Sequence, residues 1–204
     1  MMLPVLYKNK KLLWLQPGDV VLFRSDFVPY IPLRYVSAGV RGFTGVNLNH
    51  AGQIVSSWGR LMINEAKGSG VIARPLEYYL ERYKTSIVIL RPKKAIVEKE
   101  FCIKANDKLG THYDLASLLI HQAWYRITGE WIGKTGPAAD NAMECAEYVA
   151  WCHGRPDPYL YSVRELLLDD YFEIIYEEIP IKIKNPPMES LPPAGNHIQG
   201  ACYG

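Results

Sequence analysis

The chain has 204 residues, 49% of them hydrophobic, and 23 Lys and Arg against 21 Asp and Glu leave a net charge of +2. That length suits one domain with a real core, and so small a charge excess gives no electrostatic reason to expect nucleic acid or an anionic membrane as partner. No apolar run reaches the roughly 18 residues of a membrane helix, and the N-terminal MMLPVLYKNKKLLWLQPGD lacks the apolar stretch and cleavage site of a signal peptide. The expectation is a cytoplasmic protein by default, with phage association or signal-free export left open.

In chain order, the turn Gln16-Pro17-Gly18-Asp19 leads into a strand, VVLFR at 20–24. Residues 25–48 carry Pro29, Pro32, Gly39, Gly42 and Gly45, which allow a short helix around 33–38 and then a glycine-punctuated loop. NHAGQIVSSWG predicts a strand over 49–57, turned at Gly59 into RLMINEA at 60–66, the second strand of the same hairpin. KGSG at 67–70 reads as a loop, PLEYYLERY at 75–83 as a helix with Pro75 in its first turn, and SIVILRP at 86–92 as a strand. Asp114 is placed to cap a helix through LASLLIHQAWYRI, which ends at Gly129. A Gly-, Pro- and Ala-rich loop covers 129–139, and a second helix runs through AMECAEYVAWC, about 142–152. Ser162 with Glu165 forms a capping box for VRELLLDD, and FEIIYEEIPIKI at 172–183 is a final strand region. Residues 1–183 therefore read as one domain, and 184–204, rich in Pro and Gly, as a flexible tail.

Cys102, Cys145, Cys152 and Cys202 form no C-x-x-C pair, so free thiols are expected rather than a zinc or thioredoxin-like site. No cofactor is called for, and Cys152 with His153 lacks a partner pair at ligand spacing. Asn141 followed three residues later by Glu144 would cap the second helix and put Cys145 in its first turn. Free N–H groups and the positive end of the helix dipole favour a thiolate there. The same helix aligns Cys145, Tyr148, Val149 and Cys152 on one apolar stripe, where a cysteine is equally well plain core. His50, where a loop enters a strand, suits a general base on a rigid element and equally suits a rim histidine. Glu65, on the next strand of the hairpin, could orient an imidazole or be an ordinary strand-end acid. His112, His121, His153 and His197 have less suitable surroundings.

Together the segments LQPGDVVLFR, NHAGQIV, INEAKGSGV, GTHYD and ECAEYVAW resemble the circularly permuted branch of the NlpC-type papain-like cysteine hydrolases, a resemblance that covers roughly residues 16–175. The resemblance implies an α+β fold, a small bent antiparallel sheet packed on the helix that bears the nucleophile. It implies Cys145 as nucleophile with a lowered pKa, His50 as base, Glu65 as orienting residue, and Tyr113 near the oxyanion. The cleft would lie between the Cys145 helix and the His50–Glu65 hairpin. Ala146 stands where the family often has Ser, and Asn49 stands before His50 in place of Ser. Asp19 and Asp114 match the family pattern and read as turn and cap residues. The implied reaction is hydrolysis of an amide bond in a small peptide or amide, cell-wall peptides included, through a thioacyl-enzyme. The alternatives are a thioesterase or lipid acyltransferase using the same triad, or a catalytically silent binding protein of this fold.

Overall fold

The computed structural model describes residues 2–7, 11–25, 45–82, 85–135, 141–178 and 180–182. The expected helix at 33–38 and the tail 184–204 lie outside these residues. At the centre is β3 (Val20–Ser25), launched by the predicted turn at Gln16–Asp19. Asp19 is fully buried there: it accepts from the Gln16 N–H at 2.9 Å and holds the Arg91 guanidinium through both oxygens, at 2.8 and 2.7 Å. Its role is structural, as expected.

β4 (His50–Ser57) and β5 (Arg60–Lys67) form the predicted hairpin, and β7 (Thr85–Pro92) and β10 (Phe172–Glu177) follow the two later strand signals. The sheet is larger than expected. It has six strands in the order β10-β7-β3-β4-β5-β6, each antiparallel to its neighbours. The added strand is β6 (Gly70–Pro75), which fills the gap between the KGSG loop at 67–70 and the helix at 75. Gly70 makes the return possible: its φ is +103°, and a Cβ there would lie 2.6 Å from the Thr111 carbonyl oxygen. A second hairpin, β1 (Leu3–Tyr7) with β2 (Lys11–Leu15), is also new; Asn9 between its strands is the one turn residue in an otherwise basic cluster.

Helix α1 (Leu76–Arg82) starts directly after Pro75. Helix α2 (Glu98–Asp107) escaped the sequence reading, since only Phe101, Cys102 and Ala105 form its buried stripe. The helix after Asp114 begins as predicted, with the Ser117 N–H bonded to the Asp114 carboxylate at 2.7 Å. It opens with a π-helical turn, Ser117–His121, before α3 (Gln122–Thr128) ends at Gly129 with φ +76°. The short strands β8 (His112–Tyr113) and β9 (Ala142–Met143) pair in parallel and lead into α4 (Cys145–Cys152). Helix α5 (Val163–Leu168) has the predicted Ser162–Glu165 capping box.

Strand alternation divides the core into two faces. On one, Val21, Phe23, Ile54, Ile63 and Ile89 pack on Leu13 and Leu15 of β2 and on Leu76 and Tyr79 of α1. On the other, Val20, Leu22, Ala51, Val88 and Leu90 pack on Cys145, Ala146 and Val149 of α4 and on Val163 and Leu166 of α5. Tyr148 extends this second face toward α2, fully buried, with its hydroxyl donating to the Ala105 carbonyl at 2.8 Å. The architecture is α+β with a large antiparallel sheet. No helix among the described residues is long and apolar enough to cross a membrane.

Candidate functional site

His50 opens β4 opposite Phe23, with the two rings stacked 5.7 Å apart. The β4–β5 register pairs Gln53 with Asn64 and Ile54 with Ile63, so its continuation puts Glu65 across from Gly52. With no side chain at 52, the His50 ring reaches Glu65 diagonally. Nε2 lies 2.6 Å from Glu65 Oε2. The second carboxylate oxygen is 2.5 Å from Lys67 Nζ and also accepts the Tyr79 hydroxyl. Glu65 is 0% exposed. Burial alone would raise its pKa, but the hydrogen bond and charge of His50 and the charge of Lys67 outweigh it and bring the carboxyl down to about 2. With Nε2 facing the carboxylate, His50 Nδ1 has no hydrogen-bond partner among the described residues.

Cys145 is the first residue of α4, but the cap is not the expected one. Asn141 precedes β9, and Glu144 is the N-cap: its carboxylate accepts the Glu147 N–H at 3.2 Å while Glu147 accepts the Glu144 N–H at 3.2 Å. Cys145 is 3% exposed, and its thiol lies 3.5 Å from Glu144 Oε2. Burial first, then the Glu144 charge, push the thiol well above its ordinary range; the backbone N–H groups of Ala51 and Ala146 pull the other way and lose. The expected low-pKa thiolate is therefore not what this site builds, because burial of the thiol, and after it the acid at the N-cap, oppose the helix-terminal field. Glu144, 1% exposed, is itself pushed up to about 7 by burial and by Glu165, against the opposing hydrogen bonds of Ala146, Glu147 and Cys145.

Tyr113 joins this group through the β8–β9 pairing, and the Asp114 N–H donates to the Met143 carbonyl at 3.2 Å. Burial and the neighbouring Cys145, Glu144 and Asp114 raise the Tyr113 pKa well above normal, so its hydroxyl stays a donor.

The structure thus forms two groups. His50 and Glu65 sit on the face that packs on β2 and α1, whereas Cys145, Glu144 and Tyr113 sit at the α4 face. No hydrogen bond among the described residues joins Cys145 to His50. The groups adjoin at the His50–Ala51 peptide, since Ala51 contacts Cys145 through its N–H. The expected cleft between helix and hairpin is instead occupied by strand β4 itself. Sequence reasoning did not find Lys67, Tyr79 or the role of Glu144. Lys67, two residues from Glu65 on the same strand face, was readable from alternation; Tyr79 comes from α1 and needed the tertiary fold.

A cavity of about 230 Å³ lies at the other end of α4, lined by Ile96, Phe101, Lys104, Cys152, His153 and Tyr171 among others. His153 is boxed by Phe101, Phe172 and Tyr171, with ring centroids 4.9, 5.1 and 5.7 Å away. Both ring nitrogens are buried and lack a hydrogen-bond partner among the described residues. Burial, with the charges of Lys104 and Arg155, brings its pKa down to about 3, so it packs as a neutral aromatic ring. Cys102, Cys145 and Cys152 are free, and no group of three or more His, Cys, Asp or Glu side chains among the described residues could hold a metal ion.

No protein-family model and no curated protein matches the chain. Among solved structures, the chain is similar to one described as the crystal structure of metalloprotein yiiX from Escherichia coli O157:H7, DUF1105. The TM-score is 0.51 at 16% identity, covering 81% of this chain and 98% of that one. At that identity the likeness speaks to the fold alone.

Proposed function

We propose that the chain is a cysteine hydrolase of the permuted NlpC-type papain-like kind, cleaving an amide bond with Cys145 as nucleophile, His50 as general base and Glu65 as its orienting carboxylate. The observation that carries this reading is the His50–Glu65 pair: a fully buried, ionised carboxylate 2.6 Å from Nε2, with Nδ1 unpartnered among the described residues. An ionised carboxylate on one ring nitrogen fixes the tautomer and stabilises the imidazolium that forms when the other takes a proton. In the reaction, Nδ1 accepts the Cys145 proton and the thiolate attacks the carbonyl carbon. The helix-terminal N–H groups at Cys145 and Ala146 and the Tyr113 hydroxyl donate to the oxyanion. His50 then protonates the leaving amine, and water, deprotonated by His50, releases the acid from the thioester.

The thiol is protonated in the described arrangement and lies on the far face of β4 from the imidazole. This reading therefore requires the segments 49–51 and 144–146 to shift relative to each other during turnover. The yiiX structure is described as a metalloprotein, but the described residues of this chain offer no cluster of three ligands, and no step is routed through a metal.

A second reading, a thioesterase or lipid acyltransferase with the same three residues, is favoured by the helical segment that follows Tyr113. Leu115, Leu119, Ile120, Trp124 and Ile127 are all exposed there, Ile127 by 79%. Such a surface suits an apolar acyl chain. Hydrolysis of a peptide p-nitroanilide and of p-nitrophenyl esters of increasing chain length tests both readings. Cleavage of the anilide supports an amidase, and a rate that climbs with acyl length on esters alone supports the second reading. No turnover of either, by any thiol-dependent route, leaves a silent binding protein.

A further inference from the structure

We propose that Glu144 is a positioning residue for the nucleophile: its carboxylate accepts the Cys145 S–H at the start of α4, and its charge restrains reaction of the thiol. The inference rests on the reading of Cys145 as nucleophile and adds a residue to that site.

The geometry carries it. Glu144 is the N-cap of α4, and Oε1 is anchored by the Glu147 N–H at 3.2 Å, which turns Oε2 to the Cys145 sulfur at 3.5 Å. The residue is 1% exposed, so water does not compete for the carboxyl or screen its charge. An N-cap needs an acceptor oxygen, and Ser, Thr, Asp and Asn are the favoured suppliers. Glu supplies one too, but its longer chain carries a second oxygen forward to the thiol. The groups facing Glu144 are Glu147 on α4, Glu165 on α5, Tyr113 on β8 and, through Ala51, the start of β4 that carries His50. Burial, with a smaller contribution from Glu165, places its titration near neutrality, at about 7. Above that pH a negative charge adds to burial in opposing the thiolate; below it the charge is gone and burial alone stands against the N–H groups of Ala51 and Ala146.

The test is the pH profile of Cys145 alkylation by iodoacetamide on the full chain, read by peptide mapping after brief labelling. Glu144→Gln keeps an acceptor for the cap and removes the charge. It is expected to alkylate Cys145 at least ~10-fold faster than wild type at pH 8, an effect of one buried charge within about 4 Å, and to lose any inflection near pH 7. Glu147→Gln disturbs the other half of the cap while leaving the Glu144 charge, and should change that rate several-fold less. If melting shows Glu144→Gln unfolded, Glu144→Asp withdraws the charge by one methylene and must move the rate in the same direction. Equal rates in wild type and Glu144→Gln, with Cys145 modified in both, would overturn the role of Glu144 and leave Cys145 as nucleophile. A Cys145 that stays unmodified in every folded variant, but reacts in the unfolded chain, would overturn both.

Discussion

Glu65 and Glu144 are equally hidden, 0% and 1% exposed, and end in opposite states. Burial raises both. Glu65 has an imidazole and an ammonium within 2.6 Å and is pulled down to about 2; Glu144 has backbone N–H groups, a thiol and a second acid, and is left at about 7. The difference teaches that peptide dipoles alone do not reverse the cost of burying a carboxylate here, whereas a cation in hydrogen-bond contact does. It also separates two jobs. The ionised acid is suited to orienting a histidine, and the near-neutral one to holding a proton close to a thiol.

The largest expected effects come from breaking the two groups at their reactive members. Cys145→Ser should lower turnover by at least ~10³-fold, and His50→Ala by ~10²- to 10⁴-fold, with melting temperature and circular dichroism little changed. Wild-type turnover of a cleaved substrate in either variant would remove that residue from the mechanism. Glu65→Gln should cost less, ~10- to 100-fold, because an amide oxygen can still accept from the ring while the stabilising charge is lost. A loss as deep as that of Cys145→Ser would require a direct chemical role for Glu65.

Stability against pH sharpens the same comparison. Glu65, lowered in the fold, contributes stability above the unfolded carboxyl pKa that is lost as pH falls toward about 2. Glu144, raised in the fold, contributes its stability below the unfolded pKa and loses it as pH climbs through about 7. Glu144→Gln should therefore flatten the fall in stability between about pH 4.5 and pH 7 and leave the limbs outside that window alone. His153 adds to the acid side: lowered to about 3, it is neutral in the fold, and protonation of the unfolded chain below about pH 6.5 costs stability. His153→Phe, which keeps the aromatic box and removes the titration, should gain ~1–2 kcal/mol over wild type at pH 5 and little at pH 8. An unchanged acid limb by urea titration would show that His153 is solvated or paired in solution.

Much of the central sheet was legible because its strands carry strong apolar runs between turn residues: Val20–Phe23, Ile54–Val55 and Ile87–Leu90 are all buried. Ser162–Glu165 and Gly129 marked helix ends by local chemistry alone. What stayed hidden was non-local or unpunctuated. Strand β6 is short and lies beyond a glycine turn, the β1–β2 hairpin has only Asn9 to mark its turn, and the narrow buried stripe of α2 sits among charged residues. At the site, the hairpin spacing correctly put Glu65 within reach of His50. Which sheet face α4 covers depends on tertiary packing, and that hides the separation of Cys145 from His50. The start of α4 was misplaced for a local reason, since β8 captures Ala142 and Met143 and moves the cap from Asn141 to Glu144.

The central claim is that Cys145 forms a bond to the substrate's acyl carbon with His50 moving the proton. The direct measurement is acid-quenched peptide mapping of the protein after brief exposure to p-nitrophenyl acetate, in wild type and His50→Ala. The account predicts a thioester on Cys145 in wild type that clears as p-nitrophenol release continues, and an adduct in His50→Ala that forms slowly and persists. Acetyl groups found only on Cys102, Cys152 or Cys202, or equal release by Cys145→Ser, would contradict it.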